Sequence, residues 1–308
     1  MTDTNFPGNL TGLHHVTAIA SDPADNVAFY TDILGQRLVK KTVNFDDPTT
    51  YHLYYGDGDA RPGSIMTFFP WPGARRGQTG SGQATKTAYA VPEGSLDFWR
   101  RRFEEHRVHQ SDVAERFGEA ALELADPDGL RLRLVETAGT ATHSELEPLS
   151  AEQALRGFQG VTLTSPRPEA TRDFLTQVLA LEALGSDGEV ERFAFPSGQV
   201  LDLEPGIDFG SGGAGTVHHI AFRVPDDDTE LGWQAYLRAH GASVSPVMDR
   251  QYFHSIYFRE PGGVLFEIAT DPPGFTADEE LASLGESLKL PAGLESRRQE
   301  IEARLPVL

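Results

Sequence analysis

Residues 13–21 read LHHVTAIAS, and residues 217–225 read VHHIAFRVP. Each is a short apolar run with a histidine doublet at the same place. Each is followed by a helix signal. After the first run, Asp22 serves as N-cap and Pro23 takes the first helical position. Val27, Phe29, Tyr30, Ile33 and Leu34 then recur at helical spacing. The strands YHLYYG (51–56) and SIMTFFP (64–70) close this unit.

The same order of strand, helix and two or three strands recurs three more times. The second unit, about 85–136, has TAYAV, a helix from Pro92 to about His106, AALELA and LRLRLVE. The third, about 158–204, has GVTLTS, a helix near Pro168–Leu181, RFAFP and QVLDLE. The fourth, about 215–270, has VHHIAFRV, a helix near Thr229–His240, SIYFRE and VLFEIAT. The Gly-rich stretch 77–82 precedes a strand and lacks a Gly-Lys-Ser/Thr ending. It reads as a connector, not a phosphate loop. A polar linker at 138–156 separates an N-terminal half (1–137, units one and two) from a C-terminal half (157–271, units three and four). The tail 272–308 ends in an amphipathic helix whose Leu294, Ile301 and Leu305 are placed to pack back onto the body.

The chain has 308 residues, enough for about two domains at roughly 100–200 residues each. Lys and Arg number 26 against 46 Asp and Glu, a formal charge of −20. That balance argues against nucleic acid or an anionic membrane as partner, since both need a basic face. No run approaches the roughly 20 apolar residues of a membrane span, and the N-terminus lacks a signal-peptide pattern. The expected location is cytoplasmic. There is no cysteine, so any metal must be held by His, Asp or Glu.

Strand alternation sorts the doublets. Val16 and Ala18, and likewise Ile220, Phe222 and Val224, make an apolar set for the helix-covered face. His15 and His219 then face the other, concave side. In GVLFEIAT, Val264, Phe266 and Ile268 are the buried set, and Glu267 lies between them on the opposite face. A carboxylate inside such a strand is costly unless paired or metal-bound. Two imidazoles and one carboxylate form the facial triad of mononuclear non-haem iron. His15, His219 and Glu267 are therefore the candidate metal ligands.

With these residues placed, the sequence resembles the vicinal-oxygen-chelate proteins, built from βαβββ modules. Within them it resembles more closely the branch of ring-cleaving hydroquinone dioxygenases, such as chlorohydroquinone dioxygenase and its relatives. The resemblance spans nearly the whole chain: LHHVT, FYTDILG, GTVHHIAF, DRQYFHSIYFREPGGVLFE and LESRRQEIEARLP. It implies an α+β fold in which four modules form two cupped, barrel-like mixed sheets. It implies the same ligands, His15, His219 and Glu267, with Fe(II) as metal. His₂Glu also takes Mn(II) or Zn(II). It gives Thr17, two residues after the first ligand, Arg250 and Tyr257 upstream of the glutamate, and His218 near the substrate as catalytic positions, with His218 the candidate acid/base because imidazole titrates near neutrality.

Each module offers one site position on its first strand and one on its last. These are His15 and Thr67, Lys86 and Arg133, Gly160 and Asp202, and His219 and Glu267. A metal bonds at about 2.0–2.2 Å, so modules one and four must face each other, leaving two to pair with three. The second cup then holds Lys86, Arg133 and Asp202, expected as a lapsed site whose cations replace the ion and pair with Asp202. The expected activity is extradiol-type cleavage of a hydroquinone or catechol ring, with a small aromatic and O₂ as partners and a homo-oligomer left open. Two rivals are a glyoxalase-type isomerase or lyase, disfavoured by Thr at position 67, and a non-catalytic quinone- or antibiotic-binding protein.

Overall fold

The computed structural model describes residues 6–45, 47–138 and 149–308. Most of the expected linker, 139–148, lies outside the described residues. Module one comprises β1 (Leu13–Ala20), α1 (Pro23–Ala28), β2 (Arg37–Val43), β3 (Tyr51–Gly56) and β4 (Ile65–Pro70). Module two has β5 (Gln83–Pro92), α2 (Leu96–Glu105), β6 (Ala114–Arg116), β7 (Glu119–Ala125) and β8 (Arg131–Thr137). Module three has β9 (Phe158–Ser165), α3 (Pro168–Asp173), β10 (Glu182–Asp187), β11 (Val190–Ala194) and β12 (Val200–Pro205). Module four has β13 (Thr216–Val224), α4 (Asp227–Ala239), β14 (Met248–Asp249), β15 (Phe253–Arg259) and β16 (Leu265–Pro273).

The local chemistry of the helix starts is as the sequence suggests. The Asp22 carboxylate accepts from the backbone N–H groups of Ala24 and Asp25, with Pro23 in the first turn. Such a cap contributes about 1 kcal/mol. Asp226 caps α4 in the same way through Thr229. Helices α1 and α3 each run on into one π-helical turn, Phe29–Ile33 and Phe174–Val178. The repeat therefore extends to a wide turn that the helical spacing did not reveal. Helix α2 starts at Leu96, four residues later than the position of Pro92 suggested, because Pro92 still belongs to β5.

Two eight-stranded mixed sheets result, in the orders β14-β15-β16-β13-β1-β4-β3-β2 and β10-β11-β12-β9-β5-β8-β7-β6. Module one thus pairs with module four, and module two with module three. The joints are antiparallel, β1 against β13 and β5 against β9. Val16, Ala18, Ile220, Phe222, Phe266 and Ile268 join Phe29, Tyr30 and Trp233 in the large core on the helix-covered faces. A separate apolar cluster of Val39, Tyr54, Ile65, Ala221, Tyr252, Phe253, Ala269 and Phe275 fills the inside of the first cup.

Connector 77–82 bridges to the matching connector of the second half, Gln78 to Ser211 and Ser81 to Phe209. The tail returns to the body: α5 (Arg298–Glu302) and its flanks bring Ile301, Leu294 and Leu305 against Val43. Among the described residues no helix is long and apolar enough to cross a membrane.

Candidate metal centre

Strand register sets the site. His15 stands beside Ala221, Ala221 beside Glu267, and Glu267 beside Tyr257, so one row crosses four strands. The next row runs Thr67, Thr17, His219. Both rows face the inside of the first cup.

The joint between β1 and β13 carries two irregularities. Leu13 pairs with Phe222 and His15 with Ala221, leaving His14 as an extra residue. Thr17 pairs with His219 and Ala18 with Val217, leaving His218 as the other. The first histidine of each doublet is thus a β-bulge, and a bulge re-aims its side chain. Simple alternation would turn His14 and His218 away from the cup. Instead His14 Nδ1 lies 2.9 Å from His15 Nδ1, and His218 Nδ1 lies 2.7 Å from His219 Nδ1.

The outer nitrogens converge. His15 Nε2 and His219 Nε2 are 3.3 Å apart, and Glu267 Oε2 is 2.9 Å from the second and 3.5 Å from the first. Bonds of about 2.1 Å at angles between right and tetrahedral would separate donor atoms by about 3.0–3.4 Å. All three residues are buried, and they are the one such donor cluster among the described residues. Apart from the two imidazoles, the Glu267 carboxylate meets no hydrogen-bond donor among the described residues, although the residue has no exposure. A buried carboxylate without another donor, facing two imidazole nitrogens, is an incomplete arrangement that a cation completes. The residues therefore fit a divalent metal. With Nε2 given to the metal, each ligand carries its proton on Nδ1 and donates it to the preceding histidine, as metal-bound imidazoles usually do to an outer partner.

The electrostatics agree with this assignment. Burial lowers the His14 pKa well below its usual value, and His15 beside it adds to the effect. Burial likewise brings His218 down to about 4, aided by His219. Both are neutral at pH 7 and can accept. This differs from the expectation that His218 titrates near neutrality. Burial would raise Glu267, but the imidazoles of His15 and His219 hold it well below the ordinary carboxylate range.

A cavity of about 130 Å³ opens onto the cluster. His15, His218, His219, Arg250 and Tyr257 reach it, and aromatic rings from Phe45, Phe69, Trp71 and Phe253 wall it. Arg250 Nε donates to Tyr257 Oη at 3.1 Å, and burial raises the Tyr257 pKa. The phenol therefore stays protonated. Thr17 is fully buried and does not line the cavity. Its hydroxyl bonds Thr67 Oγ1 at 2.9 Å. Thr67 in turn meets His52 Nε2 at 2.8 Å, and His52 Nδ1 meets the Tyr54 hydroxyl at 2.8 Å. Sequence reasoning passed over His52 and Tyr54. Their two-residue spacing in YHLYYG put both on one face of a module-one strand, and that signal was available.

The second cup keeps the geometry and changes the chemistry. By register Lys86 takes the place of His15, Gly160 that of His219, Asp202 that of Glu267 and Arg133 that of Thr67. Even the bulges persist, at Thr85 and Gln159. The cation that pairs with Asp202 is not Lys86, however. It is Arg192, which occupies the place of Tyr257 and binds Asp202 at 2.8 and 3.0 Å. Lys86 turns to Glu204 at 3.1 Å, and Arg133 Nε lies 3.7 Å from Glu123. The alignment of first and last strands could not find Arg192, which sits on a middle strand.

Comparison with known proteins follows the same lines. The family described as Glyoxalase/Bleomycin resistance protein/Dioxygenase superfamily matches residues 12–134 and 157–268. The chain is 50% identical to a Bacillus subtilis (strain 168) protein named as a ring-cleaving dioxygenase, MhqO, over 96% of this chain and 95% of that one. It is 37% identical to the chlorohydroquinone/hydroquinone 1,2-dioxygenase of Sphingobium indicum, over 96% of each chain. A crystal structure described as a dioxygenase from B. subtilis superposes with a TM-score of 0.95 at 47% identity, covering 97% of this chain and 98% of that one. Glyoxalase I from Zea mays shares the fold, with a TM-score of 0.63 at 15% identity over 84% of this chain and 92% of its own.

Proposed function

The chain belongs to the glyoxalase, bleomycin resistance protein and dioxygenase superfamily, and from that premise we propose that it is a metal-dependent ring-cleaving dioxygenase acting on hydroquinone- or catechol-type aromatics with O₂. The observation that carries the reading is the convergence of His15, His219 and Glu267 at the base of a small aromatic-walled cavity. Relatives over nearly the full length carry ring-cleaving dioxygenase names.

Fe(II) is the metal we assign. Held by His15, His219 and Glu267, it supplies Lewis acidity toward a phenolic oxygen and a route for electrons from the ring to O₂. The chain's own residues do the rest. A cavity of about 130 Å³ admits one flat ring between Phe45, Phe69, Trp71 and Phe253. Arg250 and the protonated Tyr257 point donors at an anionic oxygen in a site shielded from water, where such bonds are strongest. With a net charge of −20, this local guanidinium also favours entry of a phenolate. His218, neutral at the cavity wall with Nδ1 engaged by His219, keeps its proton on Nε2 and can donate it to a phenolic or developing anionic oxygen. Thr17 is held by Thr67 and lies beside His219 in register, where it supports the ligand strand. We read the cleavage as extradiol-type, next to a hydroxylated carbon.

A glyoxalase-type isomerase would call for another carboxylate ligand. Position 67 offers instead a threonine hydroxyl already engaged by Thr17 and His52. The test is metal analysis of anaerobically purified protein, together with an oxygen-electrode screen of catechols and hydroquinones. Iron with O₂ uptake supports the proposal. Zinc with no uptake favours the isomerase, and tight quinone binding with no uptake favours a binder.

A further inference from the structure

The first cup is an open sheet with β2 at one edge and β14 at the other. The chain after β16 spans the gap between them. Lys40 on β2 has no exposure. Its Nζ donates to Asp278 Oδ1 and to Glu279 Oε2, each at 2.6 Å, and lies 4.7 Å from the centre of the Tyr252 ring. The other oxygen of Asp278 faces the opposite edge. Oδ2 accepts from Gln251 Nε2 at 2.8 Å and from the Tyr252 hydroxyl at 3.0 Å. One carboxylate thus joins both edges of the cup.

Gln251 and Tyr252 directly follow Arg250. Gln251 has φ 70°, in the left-handed region that side-chain-bearing residues disfavour. Two bonds hold it there: its backbone N–H to Asp249 Oδ1 at 2.7 Å, and its side chain to Asp278. Tyr252 is buried and stacks on Phe275, with ring centres 5.4 Å apart. The turn that presents Arg250 to Tyr257 is therefore strained locally and restrained from outside the sheet. Such strain persists only where surrounding contacts over-determine it.

We propose that Asp278 is a positioning residue for the active site. It acts through Gln251 and Tyr252 to hold Arg250 against Tyr257, and this makes the C-terminal segment part of the catalytic apparatus. Its catalytic consequence rests on the ring-cleavage reading above. Lys40 is too buried to be left without a carboxylate, so Asp278 is held in place by the cation it neutralises. Without Asp278, Lys40 keeps Glu279, but Gln251 loses its tie and is free to relax. Arg250 shares the intervening peptide and moves with it.

The test compares wild type with Asp278→Ala, Gln251→Gly and Arg250→Ala, and with each of the first two combined with Arg250→Ala. Gln251→Gly removes the tie while keeping a residue that accepts positive φ, so it serves if Asp278→Ala folds poorly. Kinetics are read by oxygen uptake with hydroquinone. Hydrogen exchange over residues 249–254 is read in metal-free protein, where the Arg250 N–H bonds Phe253 O at 2.9 Å. The expected result is a loss of about tenfold in kcat/KM for either tie variant, since small misplacements of a positioning group are costly. In the Arg250→Ala background the further loss shrinks to less than about twofold, because both changes act through one residue. Exchange at 249–254 quickens while that of β1 and β13 is unchanged. Tie variants within about twofold of wild type, undiminished losses in the Arg250→Ala background, or unaltered exchange would overturn the proposal. If wild type consumes no O₂ with hydroquinone, the ring-cleavage reading fails, and the exchange comparison still decides the role of Asp278.

Discussion

His15 and His219, 204 positions apart in sequence, bring their Nε2 atoms to 3.3 Å. The contact exists because β1 and β13 lie side by side at the joint of modules one and four. The fold brings these two imidazole nitrogens together with a buried carboxylate oxygen, Glu267 Oε2, at 2.9 Å from His219 and 3.5 Å from His15.

The bulged histidines should matter for metal affinity. His14→Ala and His218→Ala each remove the partner that fixes a ligand's Nδ1. Outer partners of this kind usually account for about 10–100-fold in affinity. Competition titration against a chelator checks this. Unchanged affinity in both variants would show that the bulges serve packing alone.

The chain Tyr54–His52–Thr67–Thr17 should be needed for stability. Thr67→Val keeps shape and leaves buried hydrogen-bonding groups of Thr17 and His52 without their partner. A loss of about 1–3 kcal/mol is expected, measured by urea unfolding. Burial holds the His52 pKa well below its usual value, so the chain is built of neutral groups and the loss should not depend on salt.

The second cup should be structural. Arg192→Met strands Asp202, which is 3% exposed, and should destabilise by about 3–5 kcal/mol. Replacing both members with apolar residues should restore most of that. Metal content should stay at the wild-type level in both variants. Loss of metal from Arg192→Met while the protein remains folded would contradict the separation of the two cups.

Glu230 predicts a pH dependence. It lies on α4 with no exposure, and neither oxygen has a hydrogen-bond partner among the described residues. Its pKa is raised from 4.5 to about 7, chiefly by burial, with His254 opposing and Asp227 and Glu267 adding smaller upward effects. The folded state favours the neutral acid. Its contribution is therefore fully present below the unfolded pKa and is lost as pH rises through about 7. Glu230→Gln should match wild type near pH 5 and be more stable by about 1–3 kcal/mol near pH 8. Thermal unfolding at the two pH values decides this.

Much of the architecture was legible because it is repeated. The doublets marked matching strands, and the reach of a metal bond required modules one and four to meet. The bulges were not legible, because a bulge exists only relative to a partner strand. Alternation places His15 and His219 on the concave face but does not show that bulges re-aim His14 and His218 against them. His52 and Arg192 sit on middle strands, outside the first- and last-strand positions that the repeat aligns. The lowered pKa of His218 depends on burial by the whole cup, which no local sequence pattern encodes. The clasp at Asp278 joins a tail to two sheet edges and becomes visible only once the sheet order is known.

The most direct measurement is oxygen consumption by Fe(II)-loaded protein with hydroquinone, run beside Glu267→Gln treated identically. The account predicts about one O₂ consumed per hydroquinone lost, both oxygen atoms in a ring-opened product, and activity at least about 100-fold lower in Glu267→Gln, which loses the ligand charge. No uptake by the wild type, or equal uptake by Glu267→Gln, would contradict it.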